Sequence, residues 1–61
     1  MEHLPENDIP MLVSAINFLL RDEIYDNLDE ICYHYNVDRE ELEKKLAADG
    51  YHYDREQNRI W

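Results

Sequence analysis

The chain has 61 residues, and its 15 Asp and Glu against 6 Lys and Arg give a formal charge of −9 with neutral histidines. A chain of this length has room for one hydrophobic core, so 1–61 is predicted to be a single domain. The negative charge excludes a diffuse basic field that would attract nucleic-acid phosphates or anionic lipid.

The sequence contains no recognisable targeting or membrane-spanning segment. The N-terminus is acidic and carries Pro5, whereas a secretory signal begins with basic residues and continues into an apolar stretch. The longest apolar-rich run, 11–20, has about half the length that a bilayer span requires. The single cysteine cannot close an intrachain disulfide, which suits a reducing compartment. We therefore expect a cytoplasmic protein.

The first predicted helix covers about residues 9–22. Asn7 and Asp8 carry side chains that accept hydrogen bonds from free amides at a helix start, and Pro10 suits the opening turn. The residues spaced as a buried stripe are Leu12, Ile16, Leu19 and Leu20. A second apolar face consists of Met11, Ala15 and Phe18, at i, i+4 and i+7. The remaining polar strip is narrow and consists of Ser14, Asn17 and Arg21.

Two shorter helices are predicted at about 28–36 and 39–49. Their N-caps and capping-box partners are Asn27 with Glu30 and Asp38 with Glu41. Asn36 tolerates the left-handed backbone conformation that ends a helix. The predicted inward faces are Leu28, Ile31, Cys32 and Tyr35 in the second helix and Leu42, Leu46 and Ala47 in the third.

A β-hairpin is predicted over about 51–61, because the spacing of apolar residues changes to alternation after Gly50. The connection 54–58 has Asp at its entrance and Asn58 before the return, where a left-handed residue is needed. The fold class is therefore mostly α, a small α+β domain. Its three helices and hairpin have the layout of a helix-turn-helix with a small wing.

Residues that carry a family resemblance run along nearly the whole chain. They are Leu4-Pro5, Asp8, Pro10-Met11-Leu12, Ser14, Asn17, Leu20-Arg21-Asp22, Leu28-Asp29-Glu30, Val37-Asp38, Glu41-Leu42, Gly50-Tyr51, Tyr53-Asp54 and Gln57-Asn58. With these residues the chain resembles a family of short bacterial proteins of this length that is catalogued only as a domain of unknown function. The resemblance implies a compact helical domain of bacterial origin. It brings no activity, cofactor or substrate.

No catalytic or metal site is predicted, and no cofactor. Glu30 and His34 share a helical face, but a structural zinc site needs four ligands, and paired cysteines or a suitably spaced histidine pair are missing. Cys32 lies in an apolar stripe, where a thiol is a small buried hydrophobe with a raised pKa and not a nucleophile. Neighbouring carboxylates diverge around a helix, and a chain this short has little volume to enclose a ligand pocket. We therefore expect no enzymatic activity.

Nucleic-acid binding by a winged-helix-like regulator is the alternative function. The side chains that would contact DNA are Arg39, Lys44, Lys45, Arg55 and Arg59. Between positions 39 and 59, however, these five cations alternate with six acidic residues, which would repel phosphate. The simpler interpretation is a solvated face with ion pairs at i, i+4 spacing.

The second apolar face of the first helix leads to the favoured function. In a small three-helix domain a helix normally buries one stripe. The extra face is then either covered by Tyr51, Tyr53, Ile60 and Trp61 or exposed as an interface. We favour a non-enzymatic interaction module that forms a homodimer or binds another protein. The predicted contact residues are Met11, Ala15 and Phe18, with Tyr25 and Trp61 as neighbours.

Overall fold

Three helices and a short antiparallel sheet follow one another along residues 3–61, the part of the chain that the computed structural model describes. The elements are α1 (Ile9–Arg21), α2 (Leu28–Tyr35), α3 (Arg39–Ala48), β1 (Tyr53–Asp54) and β2 (Arg59–Ile60). The predicted fold class, mostly α with a C-terminal hairpin, is confirmed. Each helix ends one residue earlier than predicted, because the final residue belongs to the cap. Within residues 3–61, no helix is long and apolar enough to cross a membrane.

The helices begin at the capping residues that the sequence indicates. Asp8 accepts a hydrogen bond from the Met11 amide at 3.2 Å, and Asn27 accepts one from the Glu30 amide at 3.0 Å. The Glu30 carboxylate accepts a hydrogen bond from the Asp26 amide at 3.2 Å, one residue before the Asn27 amide that a capping box would use. Asp38 caps α3 by accepting from the amide of Glu40, the second helical residue, at 2.9 Å, and not from that of Glu41 as the predicted capping box requires. Local side-chain chemistry therefore sets all three starts.

The helix ends depend on left-handed residues. Asn36 (φ 56°) ends α2 and Gly50 (φ 85°) follows α3, both as predicted. The turn after α1 contains a third left-handed residue, Glu23, with φ 58°. The next amide, of Ile24, donates to the Leu19 carbonyl at 3.0 Å. This left-handed residue was not predicted, because glutamate has no preference for the left-handed region.

The core lies between the three helices and the hairpin. Its buried side chains are Leu4, Leu12, Val13, Ile16, Leu19, Leu20, Leu28, Ile31, Cys32, Leu42, Leu46 and Ile60. The predicted stripe of α1 is confirmed, but Tyr35 is only partly buried and Ala47 is exposed. The prediction for Ala47 was wrong. Successive helical residues are rotated by about 100°, so the face that buries Leu42 and Leu46 turns Ala47 toward solvent.

The hairpin pairs Tyr53 with Ile60 and Asp54 with Arg59. His52 and Trp61 extend the pairing by exchanging two backbone hydrogen bonds of 3.0 Å. In the turn, an Asp54 carboxylate oxygen accepts from two amides, at 2.9 and 3.2 Å. Asn58 has the predicted left-handed conformation, with φ 54°. Ile60 is buried and attaches the hairpin to the core.

Candidate interaction surface

The outer face of α1 is exposed. Met11 keeps 57% and Phe18 keeps 48% of its surface accessible, and Ala15 is half-buried. The alternative in which the C-terminal segment covers this whole face is therefore wrong. The hairpin reaches α1 through Asn17, about a quarter of a turn from Phe18, so it packs beside the outer face and not over it.

The charge of α1 differs from that of the rest of the chain. Residues Ile9–Arg21 include no Asp or Glu, although the chain has 15. Arg21 is the single charged residue of the helix, and its guanidinium lies 5.7 Å from the centroid of the Phe18 ring. The outer face is thus apolar, and at its C-terminal end Arg21 is paired with Asp22, just beyond the helix, at 3.3 Å.

The other two predicted contact residues lie in different surroundings. The Tyr25 ring packs against His34 and Tyr35, at centroid distances of 5.3 and 6.3 Å. Trp61 is 49% exposed, and the Arg59 guanidinium lies 4.9 Å from its ring centroid. An open groove of about 880 Å³ between α1 and the hairpin turn is lined by Phe18, Tyr25 and Arg59, among others. The structure therefore places Phe18 and Tyr25 along one groove, with Trp61 connected to it through Arg59.

Three of the five cations proposed for nucleic acid make contacts within the chain. Arg39 donates to Asp29 at 2.6 Å and to Glu43 at 3.2 Å, and its guanidinium lies 5.5 Å from the Tyr53 ring centroid. The hydrogen bond with Asp29 is the main cause that raises the pKa of Arg39. Lys45 pairs with Glu6 at 3.3 Å. The third is Arg59, which lies over Trp61, whereas Lys44 and Arg55 are exposed.

Cys32 is buried, with 5% of its surface accessible, and desolvation raises the pKa of its thiol. This agrees with its interpretation as a core residue. Glu30 and His34 are both exposed on α2. Over the described range, 3–61, no three or more His, Cys, Asp or Glu side chains are grouped so that they could hold a metal ion.

The family model for the domain of unknown function DUF4250 matches residues 6–60. The chain belongs to this family. The match confirms the resemblance that the sequence motifs indicated, and it assigns the DUF4250 chain no activity. Neither the curated proteins nor the solved structures include a match to it.

A second surface feature of the chain was not predicted from the sequence. It is a cleft of about 440 Å³, here called the α2 cleft, lined by Tyr25, Asn27, Asp29, Glu30, Tyr33 and His34. Tyr33 is 89% exposed. Glu30 lies three and four residues before Tyr33 and His34, and this helical spacing was the available signal. Tyr25 lies in the connection between α1 and α2, so its position in the cleft could not be predicted from helical spacing.

Proposed function

We propose that this chain is a non-enzymatic protein-interaction module that forms a homodimer through the outer face of α1. The observation that supports the proposal is the exposure of Met11 and Phe18 on a helix whose opposite side is fully used by the core. Burying two such side chains removes apolar surface from water, and each Å² of apolar surface buried contributes roughly 25 cal/mol of favourable free energy. A domain this small buries little apolar surface by itself, and the dimer contact adds to the buried area.

The distribution of charge supports a second copy as the partner. Two molecules with a formal charge of −9 repel each other over most of their surfaces. The outer face of α1 lacks carboxylates, so contact through it keeps the acidic groups of the two copies apart. No other helix of the described chain is free of acidic residues.

The spacing along α1 is self-complementary. Met11 and Phe18 lie on either side of Ala15, one at each end of the outer face. When two copies of α1 pack antiparallel about a two-fold axis near Ala15, Met11 lies against the partner's Phe18, and this contact occurs twice. The small side chain of Ala15 allows the two helices to approach closely. A closed dimer results, because the two-fold contact uses the same face of both copies.

Sedimentation velocity and light scattering across a concentration series test the proposal. We expect the apparent mass to rise from that of a monomer to that of a dimer between low and high micromolar concentration. A strictly monomeric species throughout that range would overturn homodimer formation.

The variant Phe18→Asp tests the surface itself. We expect it to remain monomeric at concentrations where the parent chain dimerises, with its helical circular dichroism retained, because Phe18 lies outside the core. Tyr33→Asp is the matched control, since it also replaces an exposed aromatic residue by aspartate, but on α2. Dimers that persist in Phe18→Asp, or that are lost equally in both variants, would contradict the proposed surface.

A further inference from the structure

We propose that the α2 cleft binds an arginine side chain of a partner protein. The inference does not require self-association through the outer face of α1, because the cleft is formed by α2 and the α1–α2 connection and uses no residue of α1. Tyr25 is the one residue that lines both the cleft and the groove beside Phe18. Its volume of about 440 Å³ exceeds that of one long side chain, so an arginine can enter it together with hydrating water. The cleft combines aromatic rings with carboxylates, which is the chemistry that recognises a guanidinium group.

The rings form one side of the cleft. His34 packs against two tyrosines, with centroid distances of 5.3 Å to Tyr25 and 4.9 Å to Tyr35. The two tyrosine rings also contact each other at 6.3 Å, so these three rings support one another. Tyr33 has no such support and is 89% exposed, which leaves it outside the core. A tyrosine ring that has an accessible face attracts a cation through its quadrupole.

The carboxylates supply the negative charge. Asp29 and Glu30 both line the cleft, and each uses an oxygen for a hydrogen bond, to Arg39 and to the Asp26 amide. The Glu30 charge also reaches the phenol of Tyr25: desolvation and the neighbouring Tyr35 raise the pKa of Tyr25, and Glu30 raises it further. Tyr25 and Glu30 both line the cleft, so a ring and a carboxylate are available to the same ligand.

The chain already contains the same combination once. Arg39 bonds to Asp29 while its guanidinium lies 5.5 Å from the ring centroid of Tyr53. A planar guanidinium can contact a ring with its face and a carboxylate with its N–H groups, which the ammonium of lysine cannot do as well. The formal charge of −9 attracts a basic partner from a distance, so arginine in a basic segment is the expected ligand.

Titration with a defined peptide tests the inference. The probe is an N-acetylated, C-amidated peptide with three arginines separated by Gly-Ser spacers, and its matched control has citrulline in place of each arginine. At low salt, ¹H–¹⁵N spectra of the full chain should show saturable changes concentrated at residues 27–34. Aromatic ¹H–¹³C spectra should show matching changes in the ring signals of Tyr33 and His34. The citrulline peptide should produce none of these changes.

Two variants locate the site. Tyr33→Ala removes an exposed ring without touching the core, and Glu30→Gln removes the charge but keeps an acceptor for the Asp26 amide. Each should weaken binding of the arginine peptide by about threefold or more. Glu40→Gln removes the same charge from the exposed surface of α3 and should leave the affinity within about 1.5-fold.

Some outcomes would overturn the inference. These are spectral changes spread evenly over the acidic surface, an equal loss of affinity in Glu30→Gln and Glu40→Gln, or no saturation by the arginine peptide. A lysine peptide that binds as tightly as the arginine peptide would contradict the proposed role of the planar guanidinium.

Discussion

The side chain of Asn17 hydrogen-bonds to both backbone groups of Ile60. Its Nδ2 donates to the Ile60 carbonyl at 2.9 Å, and its Oδ1 accepts from the Ile60 amide at 2.7 Å. His52 and Trp61 exchange hydrogen bonds within the hairpin, so the next pair, Tyr53 and Ile60, points its backbone groups outward. Asn17 therefore acts as a one-residue neighbouring strand and closes the edge of β2 that faces α1.

Asn17→Ala should lower the free energy of unfolding by about 2–3 kcal/mol, because it leaves the amide and carbonyl of Ile60 without partners in a partly buried site. Urea denaturation measures the change, and hydrogen exchange should show faster exchange in β2. Ser14→Ala, on the same polar strip but exposed, is the control and should change stability by less than about 0.5 kcal/mol. Equal effects of the two changes would mean that the Asn17 bonds contribute nothing.

Glu23→Gly should raise the free energy of unfolding by about 0.5–1 kcal/mol. Glu23 has φ 58°, where a side chain with a Cβ is strained and glycine is not. Thermal and urea denaturation both test this. The control is Asp22→Gly, where φ is −85° and glycine brings only extra entropy to the unfolded chain, so stability should fall. A loss of stability in both variants would show that the left-handed turn carries no strain.

Arg39→Ala should lower the free energy of unfolding by about 1–2 kcal/mol, since it removes two ion pairs and the contact with the Tyr53 ring. Lys45→Ala removes one exposed pair, with Glu6, and should cost less than about 0.5 kcal/mol. Chemical denaturation in low and high salt distinguishes the two contributions, because salt weakens the ion pairs more than the ring contact. If Arg39→Ala were as stable as Lys45→Ala, the contacts of Arg39 with Asp29, Glu43 and Tyr53 would contribute no extra stability.

Cys32 should react slowly with a thiol-specific disulfide reagent until the chain unfolds. Its pKa is raised in the folded state, so the folded thiol keeps its proton at a pH where the unfolded thiol ionises. The buried, protonated thiol therefore makes its full contribution to the free energy of unfolding below the ordinary thiol pKa of about 9. That contribution is lost as the pH rises through the higher pKa of the folded state. Urea titrations between pH 8 and 10 should show this loss in the parent chain and a shallower slope in Cys32→Ala. Rapid labelling of the folded chain would contradict the burial of the thiol.

Mixed-sequence DNA duplex should not bind the chain, even at low salt. Three of the five proposed cations are already in contact with acidic or aromatic side chains, and the overall charge repels phosphate. Fluorescence anisotropy with a labelled duplex measures this. Micromolar affinity with a steep dependence on salt would instead support the winged-helix alternative.

The sequence by itself determined the features that depend on neighbouring residues. Asp8, Asn27 and Asp38 cap the helices because each side chain reaches an amide within the next three positions. Gly50 and Asn58 have left-handed backbones because these residue types tolerate them. The buried stripe of α1 follows from the helical period. For the same reason, the position of its second apolar face could be predicted before any contact was known.

Only the tertiary structure decided how those elements meet. Asn17 belongs to a polar strip that the sequence could not distinguish from a solvated one, and its role depends on Ile60, 43 residues away. The α2 cleft and the contacts of Arg39 likewise join residues from different elements. A hydrophobic period fixes which residues of one helix share a face. Which neighbour that face meets depends on the packing of the whole chain, and this left Ala47 exposed and the outer face of α1 uncovered.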